Sequence, residues 1–337
     1  MIRLTQAPLH VAALTHPGMA GKQNEDRFAV SSYRVGEKDP TRSVFAVISD
    51  GIGGHRAGEV AAEIAVENIS HIIARSDARL PLEALARAIQ ITSDAIATKA
   101  KDNPQRLDMG ATCACAWVVG DRLFTASVGD SRIYLLRNGS LRQLTVDHTW
   151  VQDAIEKGVL EPQDARNHPN VHVIRRYLGS PKAPKPDNRL RLAANESDAQ
   201  SCANQGMHLL PRDLLMLCTD GLTDVVEDAE IEQTVRGQDL QSAAQALVDL
   251  ACSREGRDNI TVVLLLVPWE NELPEKKAGR HWLKALEELV GKVLLMLVNA
   301  RWTAANFTGP PVFELKVDEA LESLDAVKST RPNYLKE

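Results

Sequence analysis

Short apolar or alternating runs recur along the chain at Ser43–Ser49, Ala111–Val119, Arg122–Val128, Arg132–Leu136, Ser140–Leu144, Leu214–Cys218 and Asn259–Val267. Their length and their Val, Ile, Phe and Tyr content predict strands. Gly120-Asp121 and Asn138-Gly139 lie between the second and fifth of them. Both dipeptides accept positive φ and close tight turns, so this stretch reads as an antiparallel meander. Helices announce themselves by a different spacing. Val60, Ile64, Asn68 and Ile72, flanked by Ala61, Ala65, Ile69 and Ile73, form one stripe at intervals of four; Leu82, Leu85, Ile89 and Ile96 form another. Shorter helices are expected over Thr149–Lys157, Ala229–Val235 and Leu240–Cys252. Helices and antiparallel strands together indicate a layered α+β core.

After Val267 the pattern changes to Pro268, Pro274, charged residues and Gly279. This predicts a domain over 1–268, a linker over 269–280 and a helical extension over 281–337. Trp282, Leu286, Leu289, Val293, Leu297 and Ala300 recur three or four apart, and Leu294, Leu295 and Val298 widen that stripe. A stripe so broad must pack on something: the core, a second copy or another protein.

Composition narrows the classes. The chain has 337 residues, 44% of them hydrophobic, enough to repay the ordering of a core. A net charge of −6 argues against a nucleic-acid partner. The five cysteines form an odd set, read as reduced packing residues. Glu287, Glu288 and Lys292 interrupt the most apolar C-terminal stretch, and the N-terminal residues lack a signal-peptide pattern. A cytoplasmic location is the expectation.

The chemistry lies in carboxylates. VFAVISDGIGG carries an apolar run into Asp50-Gly51, and LLMLCTDGLTD carries another into Asp220-Gly221. An acid where a buried strand emerges is held rigidly, and the following Gly lets the chain turn and exposes a carbonyl, another hard oxygen donor. Asp258-Asn259 precedes a strand, Asp130 lies between strands, and Glu25-Asp26 stand before Phe28–Val30. If such acids converge, each pair 4–5 Å apart repels by about 3–4 kcal/mol at an effective dielectric near 20. Divalent cations relieve that repulsion, and oxygen-only donors favour Mg²⁺ or Mn²⁺ over Zn²⁺. Two such ions can activate water and clamp a phosphoryl group.

An isolated Asp-Gly is usually a turn, but the ordered set NED, DGIGGH with GE, GDSR, CTDG and RDN is specific in combination. At these motifs the chain resembles the bacterial metal-dependent type 2C protein serine/threonine phosphatases, from about His10 to Val267. The resemblance implies a four-layer α-β-β-α sandwich with a central antiparallel β-sandwich, and a binuclear Mg²⁺ or Mn²⁺ centre at one edge. It implies that Asp50 bridges both ions, that Gly51 offers its carbonyl, that Asp220 and Asp258 serve one ion and that Glu25 serves the other. Asp130 would support a weaker third ion; Asp26 and Asn259 would orient the ligands from behind. The implied reaction is hydrolysis of phosphoserine and phosphothreonine in proteins by a metal-activated water, opposing a bacterial Ser/Thr kinase, with no phosphoenzyme.

The family usually carries Arg five residues before the Asp of NED to hold the substrate phosphate; here Gly21 stands there, with Lys22 beside it. Lys22 offers a point charge without the bidentate fork of Arg. Ile52 replaces a His found after the DG in some members, leaving His55 as the candidate for proton transfer. Trp150–Lys185 resembles the flap of bacterial members, and its Arg175 and Arg176 are candidate receivers of a phosphopeptide. The metal chemistry by itself leaves two other readings open: a dinuclear hydrolase of small phosphate esters, and a noncatalytic phosphoprotein-binding module.

Overall fold

The computed structural model describes residues 1–268 apart from 22, 54–56, 103–105, 107 and 108. The expected linker and C-terminal extension lie outside the described residues. In chain order the strands are β1 (Ile2–Arg3), β2 (His10–His16), β3 (Arg27–Arg34), β4 (Arg42–Ser49), β5 (Gly51–Ile52), β6 (Gly110–Ala111) and β7 (Cys113–Val119). They continue with β8 (Arg122–Val128), β9 (Arg132–Arg137), β10 (Ser140–Gln143), β11 (Met207–His208), β12 (Leu214–Cys218) and β13 (Ile260–Leu266). The helices are α1 (Ala57–Ala74), α2 (Pro81–Lys101), α3 (Trp150–Glu156), α4 (Pro162–Ala165), α5 (Asp198–Ala203), α6 (Asp220–Thr223), α7 (Asp228–Val235) and α8 (Leu240–Ser253).

Two antiparallel sheets carry the domain. One has the order β1-β3-β4-β7-β8-β11, the other β10-β9-β12-β13-β2, and β5 pairs with β6 in a short ribbon of its own. The alternation of each strand sends its two faces into different apolar clusters. From β4, Val44, Ala46 and Ile48 meet Leu215, Leu217, Val263 and Leu265 of the opposite sheet. Phe45 and Val47 point the other way, against Ile69, Ile73, Leu85 and Ile89 of α1 and α2. Likewise Met216, Val262 and Leu264 face Leu247 and Val248 of α8. Helices therefore cover the outer face of each sheet, and the inner faces cover one another.

The expected meander is corrected. β7 and β8 form one hairpin and β9 and β10 another, but the hairpins belong to different sheets. The turn at Gly129, φ +103°, passes the chain from the first sheet to the second. A second correction concerns the cysteines: all five are free, but Cys202 is exposed and Cys252 only partly covered. A third is α6, which begins at Asp220 itself, so the Gly after this acid enters a helical turn.

Trp117 anchors the first helix-covered layer. It is fully buried, meets Phe45 edge-on at 6.4 Å between ring centres, and its indole N–H donates to Ser43 Oγ at 2.7 Å. Ser43→Ala would strand that donor, for a loss of about 1–3 kcal/mol. Trp117→Ala would leave a cavity, for about 3–5 kcal/mol. Urea unfolding monitored by far-UV circular dichroism checks both; a Ser43→Ala midpoint equal to wild type would remove the indole bond from the account.

Candidate active site

β4 delivers Asp50 to the mouth between the sheets, and Thr112 clamps it there. The Asp50 amide donates to Thr112 Oγ1 at 2.9 Å, while the Thr112 amide donates to the Asp50 carbonyl at 2.9 Å. Ser49 Oγ donates to the Thr112 carbonyl, and Thr112 Oγ1 lies 2.7 Å from Ser131 Oγ. Both serines are thus occupied in hydrogen bonds. The adjacent Gly51 makes a backbone approach that only glycine permits. A side-chain carbon on Gly58 of α1 would lie 2.6 Å from the Gly51 carbonyl oxygen and 2.8 Å from Glu25 Oε2. Glu25 and the Gly51 carbonyl therefore converge on the first turn of α1.

The second sheet brings Asp220 and Asp258. A carbon on Gly221 would sit 2.0 Å from the Asn259 carbonyl oxygen, so the end of β12 and the start of β13 meet without space for a side chain. Asn259 then stitches this edge to the NED loop. Its Oδ1 accepts the Glu25 amide at 2.7 Å, and its Nδ2 donates to the Pro17 carbonyl at 3.0 Å. Asp26 is 2% exposed, and its Oδ2 accepts from Thr219 Oγ1 at 2.8 Å and Thr261 Oγ1 at 2.7 Å. Thr219, just past the end of β12, and Thr261 of β13 thus hold an acid that precedes β3 of the first sheet.

These acids act on one another. Burial, then Asp220, Asp26, Asp130 and Asp258, push the Asp50 carboxyl well above the usual carboxylate range. Burial and then Asp130, Asp224 and Asp258 do the same to Asp220, despite a hydrogen bond with Asp50. Burial raises Asp26 to about 6, and burial with nearby Asp147 raises Asp130 to about 7. Asp50, Asp220, Asp258, Asp26 and Asp130 are therefore one electrostatic cluster, drawn from both sheets. Lys22 and His55 lie outside the described residues. Gly21 has φ +68° and open space around its α-carbon.

The residues fit a hard divalent cation. Asp26 Oδ1, Asp130 Oδ1 and Asp220 Oδ1 are buried with no hydrogen-bond partner, a costly state for oxygens that a cation relieves. Among the described residues no three His, Cys, Asp or Glu side chains close into a ligand shell by themselves.

A cavity of about 270 Å³ adjoins the cluster, walled by Asp130, Asp220 and Asp224 on one side and by Arg166 and His172 of the 150–185 segment on the other. Asp224, one turn after Asp220, is not marked by the motifs. Its Oδ2 lies 3.2 Å from His172 Nδ1, and its carbonyl accepts from Arg166 at 3.2 Å. The i, i+4 spacing in DGLTD is the signal that points to it. Of the two candidate flap cations, Arg175 leans on Asp153 at 3.7 Å. Arg176 stands exposed at a separate cavity with Lys185 and Arg189.

Buried hard-oxygen donors where two sheets open onto one cleft define a site for divalent cations. A family model described as Protein phosphatase 2C matches residues 19–157. The serine/threonine phosphatase stp of Listeria monocytogenes is 32% identical over 273 residues, 80% of this chain and 98% of that protein. The crystal structure of the Mycobacterium tuberculosis serine/threonine phosphatase PstP/Ppp superposes with a TM-score of 0.66 at 30% identity, covering 77% of this chain and 99% of that one. The catalytic domain of PstP in complex with 2 manganese ions gives a TM-score of 0.63 at 29% identity, with the same coverage of each chain. The chain belongs to the protein phosphatase 2C family.

The raised carboxyls set a pH dependence. Asp26 and Asp130 move from 3.8 to about 6 and about 7. From about pH 4 to 7 these two groups therefore hold more protons in the folded chain than in the unfolded one, and their contribution to stability falls as pH rises. EDTA-treated protein is expected to melt at a higher temperature at pH 5 than at pH 8, with Mn²⁺ raising the pH 8 value most. A metal-free midpoint that climbs from pH 5 to pH 8 contradicts this electrostatic picture.

Proposed function

We propose that the chain hydrolyses phosphoserine and phosphothreonine in proteins, with Mn²⁺ or Mg²⁺ held by Asp50, the Gly51 carbonyl, Asp220, Asp258 and Glu25, and a weaker third ion held by Asp130. The observation that carries this reading is the cluster of acids around Asp50, in which Asp26, Asp130 and Asp220, drawn from both sheets and the crossing between them, each keep one buried unpaired oxygen. When bound, the cations supply water activation at neutral pH and neutralise charge on the phosphoryl oxygens. The chain's own part is to hold the donors still: Thr112 fixes the Asp50 backbone, Asn259 fixes Glu25, and Thr219 and Thr261 fix Asp26. Asp26 and Asn259 act through those ligands.

The substrate is a phosphorylated protein, and the enzyme opposes a bacterial Ser/Thr kinase in cytoplasmic signalling. Among the described residues no helix is long and apolar enough to cross a membrane. Lys22, Arg175 and Arg176 are the cations assigned to the substrate, with His55 assisting proton transfer. Arg176 is exposed, but it lines a cavity other than the one beside Asp130 and Asp220.

Hydrolysis of phosphothreonine peptides measured against nucleotides, each with added Mn²⁺, tests the reading; folded protein that spares the peptides overturns it. Asp50→Asn is expected to abolish metal-dependent turnover while the far-UV spectrum stays native, since the Asp50 charge would serve both ions. Near-normal turnover would reject the bridge. Gly21→Arg tests the departure at the phosphate-holding position. The left-handed backbone there makes the substitution cost about 1–2 kcal/mol. A charge-assisted phosphate contact, about 1.5–3 kcal/mol, is expected to lower KM about tenfold or more. An unchanged KM would show that position 21 does not reach the substrate.

A further inference from the structure

His148 takes no part in the chemistry above, yet it is 2% exposed and every polar atom it has is engaged. Its Nδ1 accepts the Gly129 amide at 3.0 Å, and its Nε2 lies 3.0 Å from Asp187 Oδ2. An accepting Nδ1 puts the ring proton on Nε2, which donates to Asp187. The His148 amide donates to the Gly129 carbonyl at 3.0 Å, so side chain and backbone together close on both polar groups of that glycine. Gly129 is where the chain leaves the first sheet for the second, and the next residue is Asp130.

Asp187 is built to keep that ring oriented. Its backbone pairs with Ser127, at 2.9 and 3.0 Å, on the strand that leads into the turn. Arg189 donates to its carboxylate at 2.6 Å. Burial opposes the charge, but hydrogen bonds from His148 and Arg189 outweigh it and hold the Asp187 carboxyl well below the usual range. The far side of His148 carries the flap: its carbonyl accepts the Arg175 amide at 2.7 Å, and Trp150 donates to the Val173 carbonyl at 2.8 Å.

We infer that His148 is a positioning residue: from the base of the flap it fixes the Gly129–Asp130 turn and thereby the reach of the Asp130 carboxylate. This rests on the assignment of Asp130 to a weaker third ion. It goes beyond packing, because of the two ring nitrogens Nδ1 alone contacts Gly129 directly. Asn places its amide oxygen near the Nδ1 position and keeps an acceptor for Gly129. Gln places its amide near the Nε2 position and keeps the Asp187 contact instead. Phe fills the space with neither.

Calorimetric titration of the full chain with Mn²⁺ separates these cases, with thermal unfolding run on each variant. Asp130→Ala is expected to lose the weakest binding class seen in wild type. His148→Gln and His148→Phe are expected to weaken that class about tenfold, the usual scale for a group that orients a ligand. His148→Asn is expected to stay near wild type, and the tighter classes are expected to stay unchanged in all three. Equal weakening in His148→Asn and His148→Gln, or wild-type binding in His148→Gln and His148→Phe, overturns the inference. If wild type and Asp130→Ala give the same isotherm, the assignment of Asp130 fails first, and the role of His148 fails with it.

Discussion

Burying several carboxyl groups around Asp50 opposes folding twice over, once by taking each from water and again by setting like charges close together. The structure fixes three of these acids through their backbones or through a single carboxylate oxygen. Thr112 grips the Asp50 backbone, Asn259 grips the Glu25 amide, and two threonine hydroxyls occupy one oxygen of Asp26. The other oxygen of Asp26, and one oxygen each of Asp130 and Asp220, are buried without a hydrogen-bond partner. Stability for the arrangement comes from elsewhere: from the apolar layer between the sheets and the helix-covered layers outside them.

Much of this architecture can be read directly from the sequence, for definite reasons. Arg122–Val128 and Leu214–Cys218 match their expected bounds because each is a run of apolar or alternating residues closed by turn formers. α3 fits as well, with Thr149 capping it and Lys157 ending it. β2 gives no such signal: His10–His16 has few large apolar residues and lies at a sheet edge, where one neighbour suffices. Nor does the change of sheet at Gly129, since turn-forming residues look the same whether they close a hairpin or pass the chain between sheets.

The acids of the site stand out because a carboxylate closing an apolar run, repeated in a fixed order along the chain, is hard to account for by turn formation alone. Their supports do not stand out. Thr261 lies 235 residues from Asp26, which it holds, and His148 lies 39 from Asp187. A single Thr or His carries no mark of a partner so distant in sequence; only the fold supplies it. Thr219 and Asn259 are exceptions, because they sit inside the CTDG and RDN motifs.

One consequence follows from where the acids originate. Glu25, Asp26 and Asp50 stand on segments of the first sheet, Asp220 and Asp258 on the second, and Asp130 on the crossing between them. The spacing of the donors is thus set by how Ile48 and Ala114 seat against Leu217 and Val263 in the layer between the sheets. That apolar layer acts as the site's gauge block: slippage of one sheet along the other would be read at the cleft as a mis-set gap between oxygens, though no residue of the layer touches the chemistry.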